Sequence, residues 1–402
     1  MKYRNLNLKY ALINATFMML VCATAGYAYN FLSQSGFADG TVGIIITMIS
    51  LCGLVGQTLS GSLIDNSEKI DEKTFISGAM LVTVALALIM AFIPSGSFLM
   101  IPVVILAFTA AAIGLPFFNS MAFIYEKDGQ KINYGLGRGV GSAAYAVGSS
   151  LLGQLWGWQG KTVLPYYVAV FALLTFFLVR LMPVPEGPAA DVPEAEEKTS
   201  SNMSYGEFFR KYRQIILIVV SMVLLYFGHM LINTYIAKVI SNIIGEEAAA
   251  VSGAVESIQG TALFIQAMVE LPTMFLFSQI LQKVSINRLM IFAAVMFAVK
   301  HILTWMCGST VMLYGVMVLQ MLGYAVLVPG SVYFANEAVS PQDRNKGQAV
   351  MGVTMTIGGL LASSVGGQLY QAMSTSNVLM IGAAASVLGA VLMFIGISRM
   401  EK

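Results

Sequence analysis

The sequence predicts an all-α polytopic membrane protein, twelve transmembrane helices in two six-helix bundles. Three observations predict it. Of the 402 residues, 57% are hydrophobic and only 10% charged, where a soluble domain carries about 25% charged residues. Mean hydropathy is +0.77. Twelve apolar runs are near the roughly 20 residues needed to cross about 30 Å of hydrocarbon, and a polar stretch divides them six and six.

Taken in order, the runs fall at 11–33, 41–64, 74–95, 98–125, 135–158, 164–183, 213–242, 251–281, 288–307, 311–337, 347–373 and 377–397. Met1–Tyr10 is basic and no small-residue cleavage site follows it, so the first span is expected to stay in the membrane. With a cytoplasmic N-terminus, all of the 22 Lys and Arg except Lys161, Lys238 and Lys300 face the cytoplasm. The positive-inside rule then predicts both termini on the cytoplasmic side, and the plasma (cytoplasmic) membrane is the expected location. Trp156, Trp158 and Trp305 fall near outer span ends, where an aromatic belt is expected.

Residues 1–183 form the first predicted bundle and 213–402 the second. The Pro/Glu/Ser-rich segment 184–212 cannot build a core and reads as a flexible cytoplasmic linker. The halves echo each other. Gly153-Gln154-Leu155-Trp156 ends the fifth span and Gly367-Gln368-Leu369-Tyr370 the eleventh. Pro116 precedes Gln154 by nearly the spacing at which Pro329 precedes Gln368. A duplicated six-helix unit is expected, as in transporters built from repeats around a central midplane site.

Enzyme chemistry has little to stand on. Cys22, Cys52 and Cys307 all lie in apolar spans without metal-ligand spacing, and the only histidines are His229 and His301. No phosphate loop, nucleophile elbow or Cys/His metal site is present. No catalytic residue, metal or cofactor is expected, and no nucleic acid or obligate protein partner. The expected partners are a small-molecule solute and the lipid bilayer.

The eighth span carries the most polar stripe. Glu256, Gln259, Gln266 and Glu270 fall within an arc of about 80° at 100° per residue. A carboxylate in hydrocarbon costs about 2.5–3.5 kcal/mol or more, so it faces a partner or a watery cavity. The stripe is either the wall of a polar path or hydrogen-bonding glue between helices. Glu256 lies fourteen residues outward of Glu270, about 21 Å of rise, which places it at the mouth, where charge is cheap. In the seventh span Tyr226, His229 and Asn233 share an arc of about 60°, to line a cavity or to satisfy a neighbouring helix. Tyr27, Tyr29 and Asn30 in the first span are cavity or packing residues by the same logic.

Three segments resemble the major facilitator superfamily, in its oligosaccharide/proton symporter branch typified by lactose permease. The first is Gly43-Ile44-Ile45, Ile49-Ser50-Leu51, Gln57 and Gly61-x-x-x-Asp65. The resemblance implies a conformational latch at Gly61, which allows close approach, and Asp65, otherwise a solvated loop acid. Asn66-Ser67-Glu68-Lys69 departs from the basic loop of the superfamily.

The second segment is residues 121–149, in which Arg138 and Tyr145 match an arginine and an aromatic that hold a sugar. A guanidinium fork suits vicinal hydroxyls, and a ring covers the apolar face of a pyranose. Arg138 also lies only seven residues past Lys131, where a positive-inside anchor is the alternative. The carboxylate that partners the arginine in the family is missing. Asn119, Ser120 and Met121 stand there instead. Glycines 135, 137, 139, 141, 148 and 153 are expected to let this helix pack closely.

The third is Ala267-Met268-Val269-Glu270-Leu271-Pro272, where Glu270 matches a functional carboxylate and Lys300 a basic residue of the ninth span. Rise along the helices places both at similar mid-membrane depth. A pair of the two is the cheapest arrangement there, static or proton-exchanging. The family's titrating residues of the tenth span align with Gln320 and Gly323, neither of which titrates.

The expected function is a proton-coupled secondary transporter of a sugar or other small hydroxylated solute, with the proton gradient as energy source. Arg138 and Tyr145 bind solute, assisted by Asn119, Gln266, His229 and Asn233, and Glu270 with Lys300 couples the proton. The alternatives are a proton-coupled exporter of amphipathic compounds and a non-transporting membrane sensor on the same fold.

Overall fold

The computed structural model describes residues 5–65, 71–183 and 203–400, the side chains of Asp65 and Lys127 excepted. Among the described residues every regular element is helical. Eleven helical runs are long and apolar enough to cross a membrane. One of them, Tyr134–Arg180, contains two helices, Tyr134–Gln159 and Val163–Arg180. They turn about Gly160, whose φ of +63° favours glycine. Counted so, the described residues carry the twelve predicted crossings.

Short polar side chains start several helices. Asp71 accepts from the Thr74 amide at 2.7 Å and Asn133 from that of Leu136 at 2.9 Å, each satisfying a donor the helix leaves unpaired. The end of the predicted linker is itself ordered. Ser204 and Glu207 form a capping box on the helix Tyr205–Lys211, and Phe208 of that helix is fully buried. Residues 184–202 lie outside the described residues.

The helices group into two compact units. One is Met1–Val192 with Ala248–Ala267, the other Pro193–Glu247 with Met268–Lys402. In the first unit the first span packs along the fifth and the third along the fourth and sixth. The predicted glycine face of the fifth span is in use. A Cβ on Gly137 would lie 2.2 Å from Tyr10 Cε1, one on Gly141 3.1 Å from Met18 Cγ, and one on Gly148 2.8 Å from the Tyr167 hydroxyl. In the second unit the seventh span packs on the eleventh and twelfth, and the ninth on the tenth and twelfth. A Cβ on Gly358 would lie 2.6 Å from Tyr226 Cβ and one on Gly366 2.5 Å from Leu231 Cδ2.

The echo between halves has a structural counterpart. The first span leaves α-helical geometry through a π-helical turn, Cys22–Gly26, and restarts after Tyr27 (φ −117°, ψ 6°). The seventh breaks at Tyr235 (φ −111°, ψ 27°). The Tyr27 hydroxyl donates to the Ser149 carbonyl at 2.7 Å, and that of Tyr235 to the Ser363 carbonyl at 2.7 Å. Tyr27 stacks on Trp156 at 5.8 Å, and Tyr235 meets Tyr370 at 4.7 Å. Trp156 is therefore a core residue, fully buried, and not part of an aromatic belt. Trp158 and Trp305 remain exposed.

Candidate functional site

In the second unit the ninth-span helix Ile286–Trp305 supplies Lys300, only 2% exposed. Its ammonium donates to Gln320 Oε1 at 2.5 Å, and Gln320 Nε2 donates to Glu270 Oε1 at 2.8 Å. A neutral amide thus stands between the two charged groups that the sequence pairs directly. Gln320 reaches this place because the tenth span is discontinuous. Its α-helix stops at Val318, and a 3₁₀ turn, Leu319–Met321, precedes a second helix from Tyr324. Gly323 sits at the break with φ −95° and ψ −82°, and a Cβ there would lie 2.9 Å from the Phe297 ring. A backbone irregularity at membrane depth is tolerated where it is buried in protein or lines a polar path.

His229 lies beside this chain on the seventh span. Asn233 Nδ2 is 2.7 Å from His229 Nε2, so the amide donates and the imidazole accepts, which leaves the proton on Nδ1. The His229 ring stacks on Tyr324 at 5.1 Å and meets the Phe297 ring at 5.5 Å. Ser386 Oγ donates to the Gly382 carbonyl at 2.9 Å and lies 2.5 Å from His301 Nδ1. His301 therefore donates through Nδ1, and its Nε2 is an acceptor. That Nε2 and Asn233 Oδ1 are buried and lack hydrogen-bond partners among the described residues.

In the first unit Arg138 and Tyr145 are half-buried on the fifth-span helix. The Tyr145 hydroxyl rests on the first-span break, 3.3 Å from where a Cβ of Gly26 would stand. Asn119 ends the short helix Leu115–Ser120 after Pro116. Its Oδ1 is buried without a partner, as is Gln266 Oε1. Three of the six predicted solute-binding residues, Asn119, Gln266 and Asn233, thus present buried acceptors that a hydroxyl donor would satisfy.

The eighth-span stripe resolves into two clusters. Glu270 belongs to the chain with Gln320 and Lys300. Glu256 is 2% exposed, held by the Asn30 and Gln34 amides at 2.9 and 2.8 Å. It is not a cheaply solvated charge at a mouth, because neighbouring spans supply donors that rise along one helix cannot reveal. The latch expectation is only partly placed. Gly61 is open, with nothing within 4 Å of where a Cβ would stand, while Gly56 is the close approach, 2.6 Å from Ile113 Cδ1. The Asp65 side chain lies outside the described residues. Gln320 and Gln34 are the residues that the sequence leaves without a role in these clusters, while Asn30, expected as a cavity or packing residue, donates to Glu256.

Against solved structures, the chain superposes on the nucleoside transporter NupG with a TM-score of 0.77 and 15% identity over 99% of both chains. A bacterial homologue of the iron transporter ferroportin gives 0.71 and 13% over 98% of both. A bacterial homologue of the human lysosomal transporter Spinster gives 0.69 and 14% over 98% of this chain and 96% of that one. No curated protein matches the sequence. A model of the MFS_1 like family matches residues 8–380, so the chain belongs to that family and is a membrane transporter of the major facilitator type, not an enzyme.

Proposed function

We propose that this transporter moves a small hydroxylated solute, a sugar or a nucleoside, by proton-coupled alternating access. The observation that carries it is the buried chain from Lys300 through Gln320 to Glu270. Ionised, Glu270 accepts from the Gln320 amide. Protonated on its other oxygen, it keeps an acceptor for that amide but loses its charge and gains an O–H donor that needs a new partner. Because Gln320 Oε1 also holds Lys300, a proton on Glu270 weakens the bond through which the amide and the ammonium are tied to the eighth span. A charge that costs several kcal/mol to keep in hydrocarbon is thereby tied to a conformational choice.

The solute class rests on the chemistry that the expected binding residues of each unit offer. Arg138 offers a planar donor fork for vicinal hydroxyls and Tyr145 an aromatic face. Asn119, Gln266 and Asn233 offer acceptors, and His229 offers its Nδ1 proton. The set suits the oligosaccharide/proton symporter branch, and a nucleoside transporter is among the structures of like fold. A ribose and a hexose present the same hydroxyl donors, so both belong to the class. The Lys and Arg bias supports an orientation with cytoplasmic termini in the plasma membrane, and the proton gradient supplies the energy.

Proteoliposomes loaded with an acid-directed gradient test this reading. Uptake of labelled uridine and of labelled disaccharide is measured for the parent and for Glu270→Gln. The variant is expected to lose gradient-driven uptake and keep solute exchange. Undiminished gradient-driven uptake in Glu270→Gln overturns the reading.

A further inference from the structure

Glu256 takes no part in the chemistry above, yet it is as buried as Lys300. It stands in the first turn of the eighth-span helix Ala254–Leu281, and the groups that hold it are neutral amides. Asn30 Nδ2 and Gln34 Nε2 both donate to its Oε1. Asn30 Nδ2 also donates to Gln259 Oε1 at 2.9 Å, and Gln259 Nε2 donates to the Gly26 carbonyl at 2.7 Å. Gln34 is fixed in turn. Trp156 Nε1 donates to its side-chain oxygen at 3.1 Å and Lys161 Nζ to its backbone carbonyl at 2.7 Å.

Beside this polar knot the backbones approach closely. A Cβ on Gly153 would lie 2.3 Å from the Glu256 carbonyl oxygen, and one on Gly260 2.6 Å from that of Ser149. A Cβ on Gly253, at φ +74°, would lie 2.1 Å from Gly157 Cα. The Tyr27 hydroxyl bridges the same place, donating to Ser149 O with Glu256 O at 3.4 Å.

Two properties set this contact apart from ordinary helix packing. Its side-chain bonds join the first and eighth spans in both directions, Asn30 and Gln34 donating to Glu256 and Gln259 donating back to the Gly26 carbonyl, and water replaces each of them at little enthalpic loss. Its closest backbone contacts are made at Gly153, Gly253 and Gly260, and the side chains that enter the seam are the Tyr27 hydroxyl and the buried Leu263, whose Cδ1 lies 3.5 Å from where a Cβ of Gly26 would stand. We propose that Glu256 is a releasable clasp that seats the head of the eighth-span helix, from Ala254 to Ala267, on the first and fifth spans and keeps water from that face of the unit. The clasp lies at the end of the first span opposite the N-terminus. It operates whether or not Glu270 carries the coupled proton.

Thiol accessibility tests it without solute or gradient. Cys22, Cys52 and Cys307 are replaced by alanine, and Ser150→Cys is introduced, a position whose Cα lies 3.1 Å from a Cβ on Gly260. The purified protein in lipid nanodiscs is labelled with a membrane-impermeant maleimide. Glu256→Ala removes both hydrogen bonds from Asn30 and Gln34 and is expected to raise the labelling rate at least about ten-fold. Glu256→Gln keeps an acceptor oxygen and is expected to stay within about two-fold of the parent. An unchanged rate in Glu256→Ala overturns the proposal, as does a rise in Glu256→Gln equal to that of the alanine variant. Should Glu256→Ala fail to fold, Gln34→Ala removes one of the two donors. It is expected to raise the rate about three-fold, and no rise there overturns the proposal.

Discussion

The Tyr235 hydroxyl donates to the Ser363 carbonyl at 2.7 Å, the same distance at which Tyr27 meets Ser149 in the other unit. Each tyrosine stands at a break in its span, and each partner serine lies seven residues before an aromatic that the tyrosine ring touches. Two helices that stop being α-helical at corresponding places need the same repair, a phenol that ties the break to a neighbouring backbone. Tyr27→Phe and Tyr235→Phe are each expected to lower unfolding stability by about 1 kcal/mol. The double variant is expected to lose the sum, because the sites share no partner. Thermal unfolding in detergent checks both statements.

Gln320→Leu removes the acceptor of a buried ammonium and a donor to a carboxylate at once. A loss of about 2–3 kcal/mol in unfolding stability is expected. Gln320→Glu gives Lys300 an anionic acceptor and is expected to recover at least half of it. Equal stabilities for the two variants would contradict a bridging role for the amide.

Gly137 and Gly61 make a matched pair. Gly137→Ala places a methyl 2.2 Å from the Tyr10 ring and is expected to cost about 1–3 kcal/mol through overpacking. Gly61→Ala meets nothing within 4 Å, and its gain in helix propensity is expected to stabilise by about 0.5–1 kcal/mol. Thermal unfolding of the two single variants separates close packing from mere helical glycine.

The Ser204 capping box gives a pH dependence at the membrane edge. The Ser204 backbone amide, then its hydroxyl, hold the Glu207 carboxyl below its usual 4.5. A depressed carboxylate contributes its stabilisation above the unfolded value and loses it as pH falls through the folded one. Pepsin cleavage within 203–212 is therefore expected to accelerate as pH falls below about 4.5. Ser204→Ala, which lacks the hydroxyl, is expected to be cleaved readily at every pH tested.

Much of this architecture is legible in the sequence, and the reason is the bilayer. Apolar runs of the right length leave one fold class, and the azimuth of Glu270 and Lys300 on their helices follows from 100° per residue. What the wheel cannot supply is the partner. Gln320 arrives between those charges through a 3₁₀ turn and an unusual glycine backbone at Gly323, in a run with no proline before Pro329. Glu256 looks superficial by rise along its own helix because Asn30 and Gln34 belong to another span. Trp156 sits where belt tryptophans sit, yet the first-span break turns Tyr27 onto its face. Each miss is a contact between spans, which a single-helix reading omits.

The eighth span is one unbroken helix from Ala254 to Leu281, and its only proline, Pro272, lies beyond Glu270. The boundary between the two units falls within this helix, its head to Ala267 grouping with the first unit and its tail from Met268 with the second. Each acid is held by donors of its own unit, Glu256 by Asn30 and Gln34 and Glu270 by Gln320. A substitution at one acid is therefore expected to leave the hydrogen bonds of the other in place.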